Sequence, residues 1–439
     1  KRQGYILSHK KTKARVLVIA NDDENKVFNI GFRTPPYDDS GIPHILEHSV
    51  LCGSRKYPVK DPFVELAKGS LNTFLNAMTY SDKTVYPIAS CNEKDFENLM
   101  DVYLDAVFYP NIYEHTEIMR QEGWHYELET VEGELIYNGV VFNEMKGAFS
   151  SPEQQMYSKI EKLLLADTPY KNESGGDPAA IPTLSQERFL DFHRKYYHPS
   201  NSYIYLYGDL DMYKELDYID KEYLSSFDYR EIDSTIAVQT AYEQMKDESC
   251  FYSIAENESE ENQTFLTYNM VVGSSLDKKQ SVAMNILEYA IMDAPGAPLK
   301  KALVDAGIGE DVFASFDDGI RQTIFSIVAR NANMSDKERF VSVIRDTLTD
   351  LSGHGEEGKA INRTSIEAAI NNFEFKHKEA NFGRFPKGLM MGLDAFNTWL
   401  YDDASALEMF KLNEVYDELK ESLKTGYFEE LIWEKLVQN

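Results

Sequence analysis

The succession of predicted strand, loop and helix begins again after residue 262, and this internal repeat limits the folds that the chain can adopt. In the first half a strand and a loop lead into the helical segment His44-Ile45-Leu46-Glu47-His48-Ser49-Val50. In the second half a strand and a loop lead into Asn285-Ile286-Leu287-Glu288-Tyr289-Ala290-Ile291. Ile-Leu-Glu is common in helices, so the match alone is weak. Its similar context predicts two copies of one α+β unit, of which the second lacks both histidines.

A shift in composition separates the two copies. Residues 229–262 are acidic and polar, which is typical of a linker. We therefore predict a first domain at 1–228, a linker at 229–262 and a second domain at 263–439. The expected fold class is α+β, with two homologous domains that each pack helices on an antiparallel or mixed β-sheet.

Local patterns in the first half predict its elements. The β-branched segment 15–20, the turn 21–25 and the apolar segment 26–32 predict a β-hairpin. Pro43 favours the start of a helix that runs to the vicinity of Gly53. A further helix is expected over about 144–165. A purely structural alternative for Glu144 is a first-turn residue that the helix dipole favours after an Asn143 cap.

The pattern His44-x-x-Glu47-His48 is the strongest chemical signal in the chain. With nine His and 73 acidic residues in 439, random placement predicts about 0.03 such matches. On a helix, positions i and i+4 lie on one face about 5–6 Å apart, so both imidazoles can bind one Zn²⁺. Glu47 lies close enough to take a proton from a zinc-bound water. The alternative is two histidines on a solvated helix face beside a helix-favouring glutamate.

Spacing alone cannot choose a third zinc ligand among so many acidic residues. The His-x-x-Glu-His order is the inverted-zincin motif. The segments around it resemble the presequence-protease branch of the pitrilysin/insulysin metallopeptidases, and the likeness continues, more weakly, after residue 262. The segments that carry the resemblance are 44–54, Lys60-Asp61-Pro62-Phe63, 70–80, Arg120-Gln121-Glu122-Gly123-Trp124-His125-Tyr126-Glu127 and Gly139-Val140-Val141-Phe142-Asn143-Glu144-Met145-Lys146-Gly147.

The resemblance implies a role for each matching residue. It makes His44, His48 and Glu144 the ligands of one Zn²⁺, and Glu47 the general base. It places Asn76 and Ala77 on an edge strand that pairs with the substrate backbone, although an ordinary sheet edge would look the same. Insulysin-like relatives carry an acidic residue where this chain has Tyr137, and Glu134 lies three positions further back. The sequence therefore leaves open whether a carboxylate or a backbone carbonyl orients His48.

The resemblance also implies a function for the whole chain. The family hydrolyses unfolded peptides, such as targeting presequences, inside a clamshell built from two halves, and its chains run to about twice this length. We therefore expect this chain to be the N-terminal half, with little activity until a C-terminal half or a split partner chain joins it. The alternative is a non-catalytic binding or assembly subunit of the same family.

Charge and composition narrow the classes of partner that the chain can bind. With 45 basic and 73 acidic residues the net charge is −28, which repels nucleic acid and anionic lipid and attracts basic peptides. No apolar run approaches the roughly 18 residues that a membrane span needs. Three cysteines without a C-x-x-C pair exclude a disulfide scaffold. The expected location is intracellular, either the bacterial cytoplasm or an organelle matrix.

Overall fold

The protein divides into two compact units in a computed structural model that describes residues 3–59, 62–356, 358 and 360–439. Unit 1 comprises residues 1–239 and 382–396, and unit 2 comprises 240–381 and 397–439. The segment 382–396, which the sequence pattern assigned to the second domain, therefore belongs to unit 1. Lys60 and Asp61, which contribute to the family resemblance, lie outside the described residues.

The β-strands, numbered in chain order, are β1 (Gln3–Ser8), β2 (Arg15–Ala20), β3 (Lys26–Arg33), β4 (Asn72–Leu75), β5 (Met78–Thr79), β6 (Lys83–Ser90), β7 (His125–Glu127), β8 (Ile136–Asn138), β9 (Ser202–Gly208), β10 (Thr264–Ser274), β11 (Asp311–Asp317) and β12 (Gln322–Ala332). The α-helices are α1 (Ile42–Val50), α2 (Pro62–Gly69), α3 (Glu93–Phe108), α4 (Glu117–Glu122), α5 (Val140–Ala148), α6 (Pro152–Leu164), α7 (Gln186–Tyr196), α8 (Met212–Glu222), α9 (Lys278–Glu288), α10 (Pro298–Asp305), α11 (Lys337–Leu351), α12 (Arg363–Glu379), α13 (Lys387–Trp399), α14 (Leu412–Ser422) and α15 (Tyr427–Ile432).

Unit 1 is built on a mixed sheet with the order β1-β2-β9-β3-β6-β4, and the short β5 also pairs with β6. The predicted hairpin of β2 and β3 is wrong, although both strands form. Strand β9 lies between them, parallel to β2 and antiparallel to β3. The turn at 21–25 therefore connects two strands that are separated in the sheet by β9, all seven residues of which are buried.

One face of this sheet packs against helices. Alternate residues of β3, namely Phe28, Ile30 and Phe32, are fully buried in the same cluster as Ile45 and Leu46 of α1. Residues of α3 and α7 complete this core. The period-two alternation of the strand and the helical spacing of α1 thus meet in one apolar layer.

The opposite face of the sheet is covered by the segment 382–396. Tyr203, Tyr205 and Tyr207 of β9 point to this face, and all three are buried. A Cβ atom on Gly392 would lie 2.4 Å from Tyr205, and one on Gly388 would lie 2.2 Å from Tyr207. The two glycines, four residues apart on α13, therefore let the helix backbone lie directly on the tyrosine rings.

Unit 2 contains an antiparallel three-stranded sheet with the order β10-β12-β11. Helix α9, which carries the second copy of the repeat, continues into a π-helical turn at Tyr289–Asp293. Together with the mixed sheet and helices of unit 1, these elements confirm the predicted α+β class. In the described part of the chain, no helix combines the length and the apolar character that crossing a bilayer would require.

Candidate metal centre

The residue before helix α1 is a glycine that allows a close approach of another loop. Gly41 has φ 70°, a left-handed conformation that favours glycine, and Pro43 occupies the first turn of the helix. A Cβ atom on Gly41 would lie 2.8 Å from the carbonyl oxygen of Gly175 and 2.8 Å from the Cα of Gly176. The loop at 175–176 therefore packs against the helix start, within reach of the first histidine of the motif.

His44 and His48 lie on one face of α1, with ring centroids 5.0 Å apart. Their Nδ1 atoms point to acceptors: His44 Nδ1 is 3.1 Å from the carbonyl oxygen of Gly175, and His48 Nδ1 is 3.3 Å from Glu122 Oε2. A neutral imidazole that donates through Nδ1 presents a lone pair on Nε2. Both Nε2 atoms are therefore available as metal ligands.

Glu144 approaches both Nε2 atoms from helix α5. Its Oε2 atom lies 3.5 Å from His44 Nε2 and 3.6 Å from His48 Nε2. The structural alternative for Glu144, a first-turn position after an Asn143 cap, does not hold, because α5 begins at Val140, with Gly139 as its N-cap. A single helix over 144–165 is wrong as well, since α5 ends at Ala148 and α6 begins at Pro152.

The geometry of this triad fits a tetrahedral metal ion. The ligand atoms of His44, His48 and Glu144 all lie within 4.8 Å of one another. Two atoms that are each bound about 2.0–2.1 Å from a tetrahedral Zn²⁺ are about 3.4 Å apart, close to the two measured separations. Two nitrogens and one carboxylate are also a known ligand set of catalytic zinc sites.

Glu122, on α4, is the residue that sequence reasoning missed. Its side chain is 9% exposed and its carboxylate orients His48, which answers the question that the sequence left open. For His44 the backbone carbonyl of Gly175 has the corresponding role. Tyr137, at the position where relatives carry an acid, lies instead on β8 and is 44% exposed. Glu122 stands in a segment that carried the family resemblance, but nothing in its spacing connects it to His48.

The acidic groups around His48 favour its positive charge. Burial opposes protonation of His48, but its hydrogen bond with Glu122 and the negative charges of Glu47 and Glu144 raise its pKa. Burial also opposes the charged form of Glu122 and so raises its pKa. The hydrogen bonds from His48 and Gln121 outweigh burial, and the pKa of Glu122 lies below its ordinary value. Three carboxylates surround two imidazoles, an excess of negative charge that a divalent cation would balance.

Glu47 is buried beside the triad and is held by one hydrogen bond. Thr79 Oγ1, on strand β5, donates to Glu47 Oε2 at 2.7 Å. The pKa of nearby Tyr80 is raised by burial and by the negative charge of Glu47. No described residue donates a hydrogen bond to Oε1 of Glu47, so this oxygen is free to accept a proton.

The predicted substrate-binding residues lie between β4 and β5, at the edge of the sheet. The backbone N–H of Asn76 donates to the carbonyl oxygen of Pro87 at 3.3 Å, and its carbonyl oxygen accepts from Tyr103 at 3.2 Å. Ala77 differs, since its backbone N–H and C=O have no hydrogen-bond partner among the described residues. The free main-chain groups are therefore at Ala77 rather than Asn76.

Two family profiles match the chain. The profile described as "Insulinase (Peptidase family M16)" covers residues 27–158, and the one described as "Peptidase M16 inactive domain" covers residues 183–373. All four residues at positions 44, 47, 48 and 144 fall within the first match.

Curated relatives align with nearly the whole chain. "Protein HypA" of Clostridium perfringens is 51% identical over 436 residues, which are 99% of this chain and 44% of the relative. "Presequence protease 1, chloroplastic/mitochondrial" of Arabidopsis thaliana is 42% identical over 434 residues, 98% of this chain and 39% of the relative. The chain thus spans about two fifths of the length of these relatives.

Solved structures share the fold at low sequence identity. A protease from Helicobacter pylori has a TM-score of 0.69 at 15% identity and covers 99% of this chain and 96% of its own. Pitrilysin has a TM-score of 0.63 at 17% identity, with 98% of this chain and 44% of its own covered.

Proposed function

The chain belongs to the insulinase (M16) family of peptidases, and from that premise we propose that it is the zinc-binding half of a metalloendopeptidase that hydrolyses unfolded peptides. The observation that carries the proposal is the convergence of His44, His48 and Glu144 beside a buried glutamate with one unpartnered oxygen. A histidine pair on a merely solvated helix face would need neither the third carboxylate nor acceptors aligned behind both rings.

His44, His48 and Glu144 would hold the metal through two Nε2 atoms and one carboxylate oxygen. Gly175 and Glu122 keep the two rings in the orientation that presents Nε2. When bound there, Zn²⁺ lowers the pKa of a coordinated water to about 7 and polarises a carbonyl oxygen. The same residues would leave a fourth position open, as catalytic zinc sites require.

Glu47 would act as the general base. Thr79 occupies Oε2 of Glu47, which leaves Oε1 to accept a proton from the attacking water. The same carboxyl group would then return that proton to the leaving amine of the cleaved peptide bond. Thr79 thereby fixes which oxygen faces the reaction.

Ala77 would pair with the substrate main chain at the sheet edge. A substrate strand added there would be recognised through backbone hydrogen bonds, which do not read side chains and so tolerate many sequences. Asn76 would contribute its exposed side-chain amide, since its main-chain groups are bonded within the protein. This arrangement suits unfolded peptides, including those of presequence type.

The net charge of −28 suggests basic peptides as substrates. Because the chain spans only part of the length of its relatives, full activity is proposed to need a C-terminal half of the same enzyme or a split partner chain. The proposed location is the bacterial cytoplasm or an organelle matrix, in keeping with the chloroplastic/mitochondrial name of the Arabidopsis relative.

A second candidate is a non-catalytic binding or assembly subunit. The match to an inactive-domain profile favours it, but that match begins at residue 183, after every residue of the metal centre. The proposal of a peptidase therefore rests on a part of the chain that the inactive-domain match does not cover.

Metal analysis and peptide hydrolysis test the proposal together. We expect one zinc per chain, lost in Glu144→Ala, and cleavage of a fluorogenic peptide when the remaining half is supplied. Glu47→Gln should retain zinc and lose turnover, whereas Glu117→Gln, an exposed residue of α4, should change neither. Zinc-free protein whose metal content does not respond to Glu144→Ala would favour the non-catalytic subunit.

A further inference from the structure

The β7–β8 hairpin, residues 125–138, exposes an unusual density of apolar side chains. Of the 23 large hydrophobic side chains that are exposed in the described residues, six lie within positions 126–137, where an even spread along the chain would place fewer than one. The six are Tyr126, Leu128, Val131, Leu135, Ile136 and Tyr137, and Val131 is 94% exposed. Exposed apolar side chains gathered in this way mark interaction sites on soluble proteins.

Aromatic contacts anchor the base of the hairpin. Tyr126 and Tyr137 lie directly opposite each other in the β7–β8 pair, with ring centroids 5.2 Å apart. Both contact Trp124, at 5.5 and 5.7 Å between centroids, and Trp124 Nε1 donates to the carbonyl oxygen of Leu184 at 3.0 Å. The exposed rings therefore rest on an anchored indole.

The hairpin is joined to two of the three helices that supply carboxylates to the metal centre. Strand β7 begins three residues after Glu122, and helix α5, which carries Glu144, begins two residues after β8 ends. At its base Gly139, with φ 152°, packs so closely on Gly123 that a Cβ atom there would lie 2.2 Å from the carbonyl oxygen of Gly123. The base of the hairpin is thus connected to the metal centre by short, closely packed segments.

The charge of the hairpin is uniformly negative. Glu127, Glu129, Glu132 and Glu134 alternate with the apolar residues, and the segment 125–138 contains no Lys or Arg. None of these four glutamates has a salt bridge with a described residue. A second copy of this chain, at −28, and an anionic lipid surface would both be repelled.

We propose that the β7–β8 hairpin is an exosite that captures basic amphipathic peptides and delivers them to the metal centre. Apolar side chains of the peptide pack on the exposed hairpin residues, while its Lys and Arg side chains pair with the four glutamates. This proposal rests on the peptidase function proposed above and specifies the substrate class. Main-chain pairing at Ala77 then needs no sequence preference, because selection occurs at the hairpin.

Binding of a basic amphipathic peptide to the full chain tests the exosite. The probe is a fluorescein-labelled Lys/Arg/Leu peptide of about 18 residues, five helical turns. The protein carries Glu47→Gln and is kept metal-free with a chelator, so binding is measured without hydrolysis. Val131→Ser/Leu135→Ser should raise Kd at least tenfold, and Glu129→Gln/Glu132→Gln/Glu134→Gln should raise Kd at low salt and flatten its salt dependence.

Controls show whether a loss of binding is specific to the hairpin, rather than a result of removing any exposed apolar residue or of misfolding. Met245→Ser/Phe251→Ser removes two exposed apolar side chains from unit 2 and should leave Kd within twofold of the unsubstituted value. A second readout is tryptophan fluorescence, which should change on binding and should lose that change in Trp124→Phe. Circular dichroism of each hairpin variant should match that of the parent.

Some outcomes would overturn the exosite. Unchanged affinity in both hairpin variants would do so. Hairpin variants that alter the sedimentation of the protein without peptide would show an interface between copies instead. The proposed function is tested independently, because cleavage of a short uncharged peptide does not use the hairpin. If the short peptide is not cleaved but binding still depends on the hairpin, only the proposed peptidase function is rejected. If the short peptide is cleaved but binding does not depend on the hairpin, only the exosite is rejected.

Discussion

Replacing Glu122 by Gln should weaken zinc binding about tenfold without unfolding the protein. The carboxylate is 9% exposed and accepts the Nδ1–H of His48 at 3.3 Å. A hydrogen bond to a charged group contributes about 1.5–3 kcal/mol. The distance is longer than the ordinary 2.7–2.9 Å of charge-assisted bonds, which selects the lower end, about 1.5 kcal/mol or roughly tenfold in affinity.

The size of the effect should depend on what replaces the carboxylate. Gln retains a neutral acceptor for His48, whereas Ala leaves Nδ1 without a partner and frees the ring to rotate. We expect Glu122→Ala to lose up to about a hundredfold in zinc affinity, the upper end for residues that orient metal ligands. If the proposed peptidase activity is present, both variants should also lower its turnover, since a misoriented His48 would displace the metal from Glu47.

The assay is competition for zinc with a chromophoric chelator at fixed pH and ionic strength. Glu117→Gln is the matched control, because Glu117 stands on the same helix, is 72% exposed and pairs only with His115 among the described residues. Its zinc affinity should equal that of the unsubstituted protein. If Glu122→Gln and Glu122→Ala both bind zinc as tightly as this control, Glu122 does not position His48 and the reasoning fails.

Three further predictions concern stability. Gly392→Ala should destabilise the protein by about 1–3 kcal/mol in urea unfolding, because its methyl group would lie 2.4 Å from a buried Tyr205 ring. Gly147→Ala, with nothing within 4 Å, should instead stabilise by about 0.5–1 kcal/mol, and a gain in both would refute the close packing. Burial, aided by the charge of Glu97, raises the pKa of Glu215 to about 7. The folded protein therefore holds a proton that the unfolded chain releases above pH 4.5. The free energy of unfolding should fall as the pH rises from 4.5 to 7. Glu215→Gln should therefore be more stable than the parent by about 1–2 kcal/mol at pH 8 and equal to it at pH 4.5; an equal difference at both values would contradict this. Burial lowers the pKa of His193 to about 4. The free energy of unfolding should therefore fall as the pH drops from 6.5 toward 4, by about 2 kcal/mol at pH 5. His193→Gln should reduce this dependence of stability on pH.

The local part of the metal centre follows from sequence alone. Four-residue spacing on a helix places His44 and His48 on one face with Glu47 between them, whatever the rest of the fold does. The α+β class was equally accessible, since apolar alternation in β3 and β9 and helical spacing in α1 are local patterns. These properties depend on residues that are close in the chain.

Other parts required the tertiary structure. Sequence spacing did not predict that β9 lies between β2 and β3, because strand pairing is decided by burial across the whole sheet. The packing of residues 382–396 on the tyrosines of β9 was missed for the same reason, as Gly388 and Gly392 acquire meaning only when a partner surface is known. Domain boundaries drawn from composition alone cannot detect that a late segment of the chain packs back on the first unit.

The sequence by itself determined which residues could bind a metal, and only the tertiary structure decided how they are oriented. Glu144 was named through the family resemblance, and no spacing rule relates it to His48, 96 positions earlier in the chain. Glu122 and the carbonyl of Gly175 reach the two imidazoles because α4 and the loop at 175–176 pack against α1. The physical reason is that hydrogen bonds and coordination act over about 3 Å in space, a distance that residues far apart in sequence reach only once the core around α1 has formed.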